Sequence, residues 1–300
     1  MATAAEPRPA ELPLPGGREG ARVKLHPLLT GETSGPRAWF LREEGRMAWR
    51  HAFGFGVKKE DWIKVPVPAF LVEHPGVGPI LIDTGFHPSV AAKPTANLGR
   101  LSQFTFKNIQ MKPEQAVSAQ LRSRGIDPAQ IKVVVMTHLH IDHASAVSEY
   151  PESTFVVSAA EWAAASEHGQ FHGYVKRQFD HGFDWRLLDF EGRDAESFSG
   201  FARSFDLFGD GSVRTVYTPG HTLGHLSVVV RTARGEVLVA ADAIYLRRTL
   251  EDTHLPYRTE DEHLFRRSLR EIRQYRTETP EAVIVPGHDS EAWQELEAVY

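Results

Sequence analysis

Short apolar segments rich in β-branched residues recur along the chain, and polar or glycine-containing segments separate them. Residues 131–136, Ile-Lys-Val-Val-Val-Met, are almost continuously apolar, which is typical of a strand that is buried on both faces. Two pairs of such segments, 68–74 with 79–83 and 226–230 with 236–240, flank short turns and predict hairpins. Further strands are predicted at 22–29, 38–42, 154–157, 213–218 and 282–285.

Helices are predicted between these strands. One begins at Pro113, because proline suits the first turn of a helix. Capping-box patterns predict a second helix at Ser158 and Glu161 and a third at Thr259 and Glu262. Since strands alternate with helices and the two hairpins lie in different halves of the chain, the pattern predicts an α/β (α+β) protein. We expect a four-layer αββα sandwich of two mixed sheets with helices outside.

Three stretches show no clear period. Residues 47–62 carry aromatic side chains among glycines, so covering a site, meeting a partner chain and ordinary packing beneath a loop all stay open. Residues 86–111, with Phe104 and Phe106 as their apolar features, are expected to form a functional loop such as a lid. Residues 171–192 are expected to be helix and loop.

Length and composition limit the classes of function that the protein can have. A chain of 300 residues with 41% hydrophobic residues is long enough for a large core. Residues 1–22 are expected to be a flexible N-terminal arm, and residues 23–300 a single domain. The arm lacks the apolar centre of a signal peptide and no later stretch approaches a membrane span, so we expect a cytoplasmic protein without a membrane partner. A net charge of −5 gives no electrostatic argument for nucleic acid.

The candidate chemistry follows the apolar strand at 131–136 directly, in the sequence Thr-His-Leu-His-Ile-Asp-His-Ala. His138 and His140 are two residues apart on a loop and can point toward one cation. Asp142 and His143 are adjacent and must diverge, which suits a second cation nearby. A solvated polar loop is the plain alternative, but four ligand-type residues within six positions favour a metal site. Because the chain has no cysteine, nitrogen and oxygen atoms must supply the ligands.

Other predicted core strands end in residues of the same type. Including the first histidine of the loop, the ligand-type residues at or just after a strand end are Asp83, His138, His221, Asp242 and His288. Polar groups at such positions are held in place by the rigid strands before them. We therefore expect one site along the edge where these strands end.

These motifs resemble those of the metallo-β-lactamase superfamily and occur in the family's order. They are His-x-His-x-Asp-His at 138–143, Thr-Pro-Gly-His-Thr-x-Gly-His at 218–225, Asp242, and Gly-His at 287–288. The resemblance covers residues 65–290 and implies the metallo-β-lactamase fold. An aspartate at position 242, where the β-lactam-cleaving branches commonly carry cysteine, argues against a true β-lactamase.

The resemblance also implies two divalent metal ions. It assigns His138, His140 and His221 to one ion, Asp142, His143 and His288 to the other, and Asp242 to both as a bridge. A shared carboxylate is reasonable because two dications so close together repel each other. We expect zinc, although manganese, iron and cobalt also suit nitrogen and oxygen ligands. Asp83 and His225 are expected to orient ligands rather than to bind metal.

Within the superfamily, the chain most resembles the N-acyl homoserine lactone lactonases that quench quorum sensing. The similarity rests on Asp-Ala-Ile-Tyr at 242–245, Gly-Pro-Ile-Leu-Ile-Asp-Thr-Gly at 78–85 and Pro-Gly-His-Asp at 286–289. It implies a hydrolase of a small-molecule lactone, in which a metal-bridged hydroxide attacks the carbonyl carbon. Tyr245 would stabilise the developing oxyanion, unless it is only a packed aromatic residue, and Asp142 would carry the proton to the leaving oxygen. These lactonases are often dimers, so a homodimer is also expected.

Two other enzyme classes share this set of ligands. A glyoxalase-II-like thioesterase would need basic residues for glutathione. The candidates are Arg266, Arg267, Arg270 and Arg273, which are more simply explained as the solvated face of a helix. A phosphotriesterase-like hydrolase would use the same two metals. Outside the enzymes, a metal-bound sensor or partner-binding module is the alternative, and the complete ligand set argues against it.

Overall fold

Two mixed β-sheets form the centre of the computed structural model, which describes residues 4–99 and 107–300. The first sheet contains β1 (Arg8–Pro9), β2 (Lys24–Pro36), β3 (Trp62–His74), β4 (Gly78–Ile82), β5 (Lys107–Gln110), β6 (Val133–Val135), β7 (Thr154–Ser158) and β8 (Asp184–Leu188). The second contains β9 (Glu196–Phe198), β10 (Phe201–Asp206), β11 (Val213–Tyr217), β12 (Leu226–Thr232), β13 (Gly235–Ala241) and β14 (Val283–Pro286). The strand orders are β1-β8-β7-β6-β4-β3-β2-β5 and β14-β13-β12-β11-β10-β9.

Helices lie between the strands in sequence. The α-helices are α1 (Arg37–Phe40), α2 (Ala48–Ala52), α3 (Pro94–Leu98), α4 (Val117–Ser123), α5 (Ala159–Glu167), α6 (Lys176–Phe179), α7 (Arg247–Glu251), α8 (Glu262–Glu278) and α9 (Ser290–Gln294). Short 3₁₀ helices occur at Lys59–Asp61, Pro88–Ala91, Pro113–Gln115, Pro128–Gln130, Val147–Glu149 and Gln170–His172. No helix among the described residues combines the length and the apolar character needed to span a bilayer.

The apolar interior confirms the αββα sandwich. One cluster, with Val72 and Val239, joins the facing sides of the two sheets. A second, with Leu121, packs α4 and α5 against the outer side of the first sheet. A third, with Leu269 and Ile272, packs α8 against the outer side of the second sheet. Each sheet thus buries both faces, which explains the long apolar runs in its central strands.

The topology brings the strand ends of the candidate site to one edge. The hairpins β3–β4 and β12–β13 form as predicted, with antiparallel pairing. β6 pairs parallel to β4, and β14 pairs parallel to β13. β11 also runs parallel to β13, because both are antiparallel to β12. Residues that follow β4 and β6, and those that follow β11, β13 and β14, therefore leave their sheets on the same side.

Two sequence expectations for local structure were wrong. Residues 38–42 are not a strand: α1 occupies this position, and Leu41 N–H donates to the Arg37 carbonyl to close one helical turn. A short apolar run fits either structure, and here the packing of Phe40 against Tyr245 accompanies the helix. Residues 171–192 contain the strand β8 besides helix and loop. Its sequence, Asp-Trp-Arg-Leu-Leu, alternates over four residues only, which is too short a pattern to reveal its pairing with β7.

Residues 4–22, which belong to the expected flexible N-terminal arm, lie along the domain, and the flexibility of the arm stays a prediction. β1 pairs parallel to β8 at the edge of the first sheet. Ala10 N–H donates to the Leu187 carbonyl, and Leu14 N–H donates to the Leu207 carbonyl. The Leu14 side chain, 6% exposed, joins the cluster between the sheets. Covering an open sheet edge and burying one leucine give the segment a reason to stay attached.

Two further expectations concern loops and helix starts. In the stretch 86–111, α3 and β5 are present, and Phe104 and Phe106 lie outside the described residues, so a lid there stays a prediction. The third predicted helix, α8, is capped by Asp261, whose carboxylate accepts from Leu264 N–H, rather than by Thr259.

Candidate metal centre

All seven expected ligands lie together at the edge where the strands end. The loop after β6 supplies four of them, and the turns after β11, β13 and β14 supply the others. The seven residues are His138, His140, Asp142, His143, His221, Asp242 and His288. All are buried except His140, which is half-buried. The first sheet therefore contributes four of the seven residues and the second sheet three.

The seven residues divide into two groups that share one carboxylate. The ligand atoms of His138, His140 and His221 lie within 4.8 Å of one another, with His140 Nδ1 and His221 Nε2 at 2.9 Å. Three imidazole nitrogens that converge in this way are typical of a zinc site. The ligand atoms of Asp142, His143 and His288 form a second group within the same limit.

Asp242 lies between the two groups and presents one oxygen to each. Its Oδ2 atom is 3.2 Å from His221 Nε2 and 3.9 Å from His138 Nε2. Its Oδ1 atom is 3.3 Å from His143 Nε2 and 3.2 Å from His288 Nε2. This is the position that a carboxylate bridging two cations would occupy.

The backbone conformation around Asp242 allows its carboxylate and the histidines to lie this close together. Ala241, which precedes it, has a φ of +46°, a conformation that non-glycine residues rarely adopt. A Cβ atom at Gly287 would lie 2.7 Å from Asp242 Oδ1 and 2.9 Å from the Ala241 carbonyl oxygen. Only glycine allows β14 to bring His288 this close to the carboxylate.

Asp83 orients two of the histidines through their Nδ1 atoms, one directly and the other through Thr137. Its Oδ2 atom lies 2.7 Å from His143 Nδ1 and accepts the Thr137 hydroxyl at 2.7 Å. The Thr137 oxygen in turn lies 3.1 Å from His138 Nδ1. With Nδ1 occupied in each ring, Nε2 is directed into the centre, as in the carboxylate–histidine–metal arrangement of metalloenzymes.

The remaining rings are oriented by other groups. His288 Nδ1 lies 2.9 Å from the Pro66 carbonyl oxygen, which can only accept, so the ring donates from Nδ1 and keeps Nε2 free. His221 Nδ1 lies 3.2 Å from the Tyr245 hydroxyl. His225 is not part of the centre, because its Nε2 accepts the Asp242 backbone N–H at 3.1 Å.

Unpaired buried atoms test whether the site fits metal ions. Among the described residues, His138 Nε2, His143 Nε2 and Asp242 Oδ1 are buried and have no hydrogen-bond partner. Buried polar atoms are seldom left unpaired, because each one costs free energy. These atoms point into the two groups, and their nitrogen and oxygen chemistry suits divalent cations. The residues therefore fit two such ions.

The electrostatics of the three histidines in the first group favour metal binding as well. Burial lowers the pKa of His138 and His221 well below the usual value, and that of His140 to about 3. Neutral imidazole is the form that coordinates a metal. Burial works against the ionised form of Asp242, but the charge of His288 and its neighbours outweighs it and holds the pKa of Asp242 well below its usual range.

Tyr245 lies beside the centre and lines the cavity that opens from it. Its side chain is buried, and its ring is 5.3 Å from that of His288. Burial and the charges of Asp242 and Asp142 raise the pKa of Tyr245 well above its usual value. The phenol therefore keeps its proton at neutral pH and remains a hydrogen-bond donor.

Sequence reasoning indicated only part of the aromatic wall of this cavity and missed the role of Glu161 behind it. The walls include Trp39 and Phe53 from the α1–α2 region, Trp62, and Phe171. Of these, only Phe53 and Trp62 lie in the stretch 47–62 for which covering a site was one expectation. Glu161 was interpreted only as half of a capping box, whereas its carboxylate contacts the loops of the centre.

The comparisons with known proteins agree with this geometry. The model of the metallo-beta-lactamase superfamily matches residues 62–288, and the chain belongs to this superfamily. The N-acyl homoserine lactonase AttM of Rhizobium radiobacter is 33% identical over 234 residues, which are 77% of this chain and 84% of that protein. A probable metallo-hydrolase of Mycobacterium tuberculosis is 31% identical over 234 residues, 72% of this chain and 73% of that protein.

A solved structure shares the fold. An N-acyl homoserine lactone hydrolase with the product N-hexanoyl-L-homoserine bound at its catalytic metal centre superimposes with a TM-score of 0.71. The match covers 91% of this chain and 96% of that chain at 22% sequence identity. At this identity the similarity describes the architecture alone.

Proposed function

We propose that this member of the metallo-β-lactamase superfamily opens the lactone ring of N-acyl homoserine lactones with the help of two divalent metal ions. The observation that carries the proposal is the position of Asp242, which presents one oxygen to each of two groups of ligands. Identities of about a third to several curated lactonases support the choice of substrate.

The proposed ligands follow the two groups. His138, His140 and His221 would hold one ion, Asp142, His143 and His288 the other, and Asp242 would bind both. Zinc is the expected metal, with manganese, iron and cobalt as alternatives of suitable ligand preference. When bound, such ions polarise a carbonyl oxygen and lower the pKa of water.

During ring opening, Tyr245 would stabilise the developing negative charge and Asp142 would transfer the proton. If His221 Nε2 binds metal, its Nδ1 carries the proton and donates to the Tyr245 oxygen, which leaves the phenolic hydrogen free. That hydrogen is donated to the lactone carbonyl oxygen as negative charge develops there. Asp142 takes the proton from the attacking water and passes it to the ring oxygen when the ring C–O bond breaks. The product is the open-chain hydroxy acid.

The aromatic cavity would receive the acyl chain. Trp39 and Phe53 pack against Tyr257 at ring distances of 5.8 and 5.7 Å, and Trp62 lines the same cavity. Such a wall offers apolar surface to an alkyl chain and excludes water from the reacting carbonyl. The chain-length preference would depend on how far this wall extends.

The basic helix gives little support to a glutathione thioester as substrate. In α8, Arg266 pairs with Glu262, and Arg267 pairs with Glu271. Arg273 donates to the Leu250 carbonyl oxygen. These guanidinium groups are engaged within the protein, as expected for the solvated face of a helix.

A pH-stat assay of metal-reconstituted protein tests the proposal, because both candidate hydrolyses release acid. We expect proton release from a long-chain N-acyl homoserine lactone, its loss after treatment with a chelator, and little release from S-lactoylglutathione. The variant Asp242→Asn serves as the control for chemistry outside the centre. Preference for the thioester, or for a nitrophenyl phosphotriester followed by absorbance, would contradict the lactonase proposal.

A homodimer and a cytoplasmic location stay predictions. Met47, Trp49, Phe53 and Phe55 are each about half exposed, and such an aromatic surface supports a contact between two copies. Light scattering at increasing concentration should give twice the monomer mass. A constant monomer mass would contradict the dimer without affecting the proposed reaction.

A further inference from the structure

The start of α5 lies directly against the two loops that carry the histidines of the first group. Ser158 caps the helix, because its hydroxyl oxygen accepts the Glu161 backbone N–H at 3.0 Å. The same hydroxyl donates to the Gly224 carbonyl oxygen at 2.6 Å. In a capping box, the Glu161 side chain would return to the Ser158 backbone N–H. Here it contacts the two loops.

The Glu161 carboxylate joins these loops with one oxygen each. Oε1 accepts the Leu139 backbone N–H at 2.8 Å, and Leu139 lies between His138 and His140. Oε2 accepts the Thr222 hydroxyl at 2.5 Å, and Thr222 directly follows His221. One side chain thus holds a neighbour of the ligands in each loop.

The loop that carries Thr222 and Gly224 packs tightly against the start of α5. A Cβ atom on Gly224 would lie 1.9 Å from the Glu161 nitrogen and 2.4 Å from Ser158 Oγ. Glu161 and Thr222 have no exposed surface. Burial raises the pKa of Glu161 to about 7, so the protein keeps a carboxyl group in a place that disfavours its charge. A group kept at such a cost needs a reason beyond capping a helix.

We propose that Glu161 is a positioning residue that fixes the distance between the His138–His140 loop and the His221 loop, and thereby sets the affinity of the first group for its metal ion. The inference rests on the metal-binding role proposed above. The two loops follow strands of different sheets; Leu226 N–H donates to the Thr137 carbonyl oxygen at their bases, and Glu161 joins them next to the histidines themselves. Metal ligands must be held within fractions of an ångström, and buried hydrogen bonds to a carboxylate are strong enough to do so.

Metal affinity of the apoprotein tests this role without any substrate. Zinc binding is measured by competition with a chromophoric chelator for the wild type, Glu161→Ala, Glu161→Gln and the control Glu167→Ala, an exposed position on the same helix. We expect Glu161→Ala to lose about 10- to 100-fold in affinity for one of two zinc equivalents, the range typical of groups that orient ligands. Glu167→Ala should equal the wild type.

The glutamine variant separates geometry from charge. Its amide oxygen can accept the Leu139 N–H, and its NH₂ group can donate to the Thr222 hydroxyl, which is able to accept. We therefore expect Glu161→Gln to retain zinc affinity within about threefold of the wild type. A merely structural role would lower the thermal stability of the apoprotein but leave the zinc affinity of the folded variants unchanged.

A second variant keeps the proposal decidable if Glu161→Ala does not fold. Thr222→Val removes the hydroxyl at nearly constant volume, and we expect it to weaken zinc binding by several-fold. Wild-type affinity in a folded Glu161→Ala or Thr222→Val protein would overturn the positioning role, as would a Glu161→Gln variant as weak as the alanine variant. A wild type that binds no zinc at all would instead overturn the proposed function, and this inference with it.

Discussion

At the residue scale, the two nitrogens of a histidine ring in the centre have different contacts. In His143 and His288, Nδ1 is bonded to Asp83 or to the Pro66 carbonyl, and Nε2 faces Asp242. A bond at one nitrogen selects the tautomer that leaves the other nitrogen's lone pair free. The orientation of each ligand is thus decided by a residue distant in sequence.

Replacing Tyr245 with phenylalanine tests the oxyanion role. We expect kcat for the lactone to fall about 100-fold or more with unchanged zinc content, because one hydrogen-bond donor to the transition state is lost. Steady-state kinetics with metal analysis measures both. Tyr150→Phe is the control, since the buried Tyr150 hydroxyl has no hydrogen-bond partner among the described residues. Equal activity of Tyr245→Phe and the wild type would leave Tyr245 as a packing residue.

Glu161 also predicts a pH dependence of stability in the metal-free protein. Burial raises its pKa from 4.5 to about 7, so between these values the folded state binds the proton and the unfolded state does not. Its contribution is fully present below pH 4.5 and decreases as the pH rises to about 7, by at most about 3 kcal/mol. Glu161→Gln cannot titrate and should become more stable relative to the wild type over this range. Urea unfolding at several pH values measures the difference, and a constant difference would contradict it.

At the element scale, the expected metal ligands follow the ends of strands, and short connecting helices line the cavity that leads to them. The loop after β6 and the turns after β13 and β14 each start from a buried strand, so their first residues are held rigidly. In contrast, α1 and the residue that follows α2 supply aromatic side chains to the cavity wall. The pattern 38–42 was compatible with helix and strand, and packing against the site region decided between them.

The docked N-terminal segment gives a prediction at this scale. Leu14→Ala should lower the free energy of unfolding by about 2 kcal/mol or more, because it removes a side chain from the cluster between the sheets. Chemical unfolding measures the change, with the exposed Glu11→Ala as control. Zinc affinity should stay unchanged, since Leu14 lies outside the centre. An unaltered stability would mean that the segment is detached in solution.

At the scale of the whole molecule, the centre joins the two sheets. His138, His140, Asp142 and His143 follow a strand of the first sheet, whereas His221, Asp242 and His288 follow strands of the second. Cations shared between these groups would link the halves of the sandwich. Binding to the folded state alone also raises stability through mass action.

Metal removal should therefore destabilise the whole fold. We expect the Tm to rise with free zinc, by an amount equivalent to about 2.7 kcal/mol at 100 times Kd, and to fall again with a chelator. Differential scanning calorimetry measures this, and Asp242→Asn should show a much smaller rise. A Tm independent of zinc in the wild type would contradict the presence of the metal centre.

The sequence by itself determined the core strands, both hairpins, the layered architecture and the family, because apolar periodicity and ligand spacing are local patterns. It also picked out the seven residues that meet at the centre. Only the tertiary structure decided which ring nitrogen faces inward, that Glu161 joins two loops, that residues 37–40 are helical and that β1 pairs with β8. Each of these depends on contacts between residues far apart in the chain, whose energies no local pattern records.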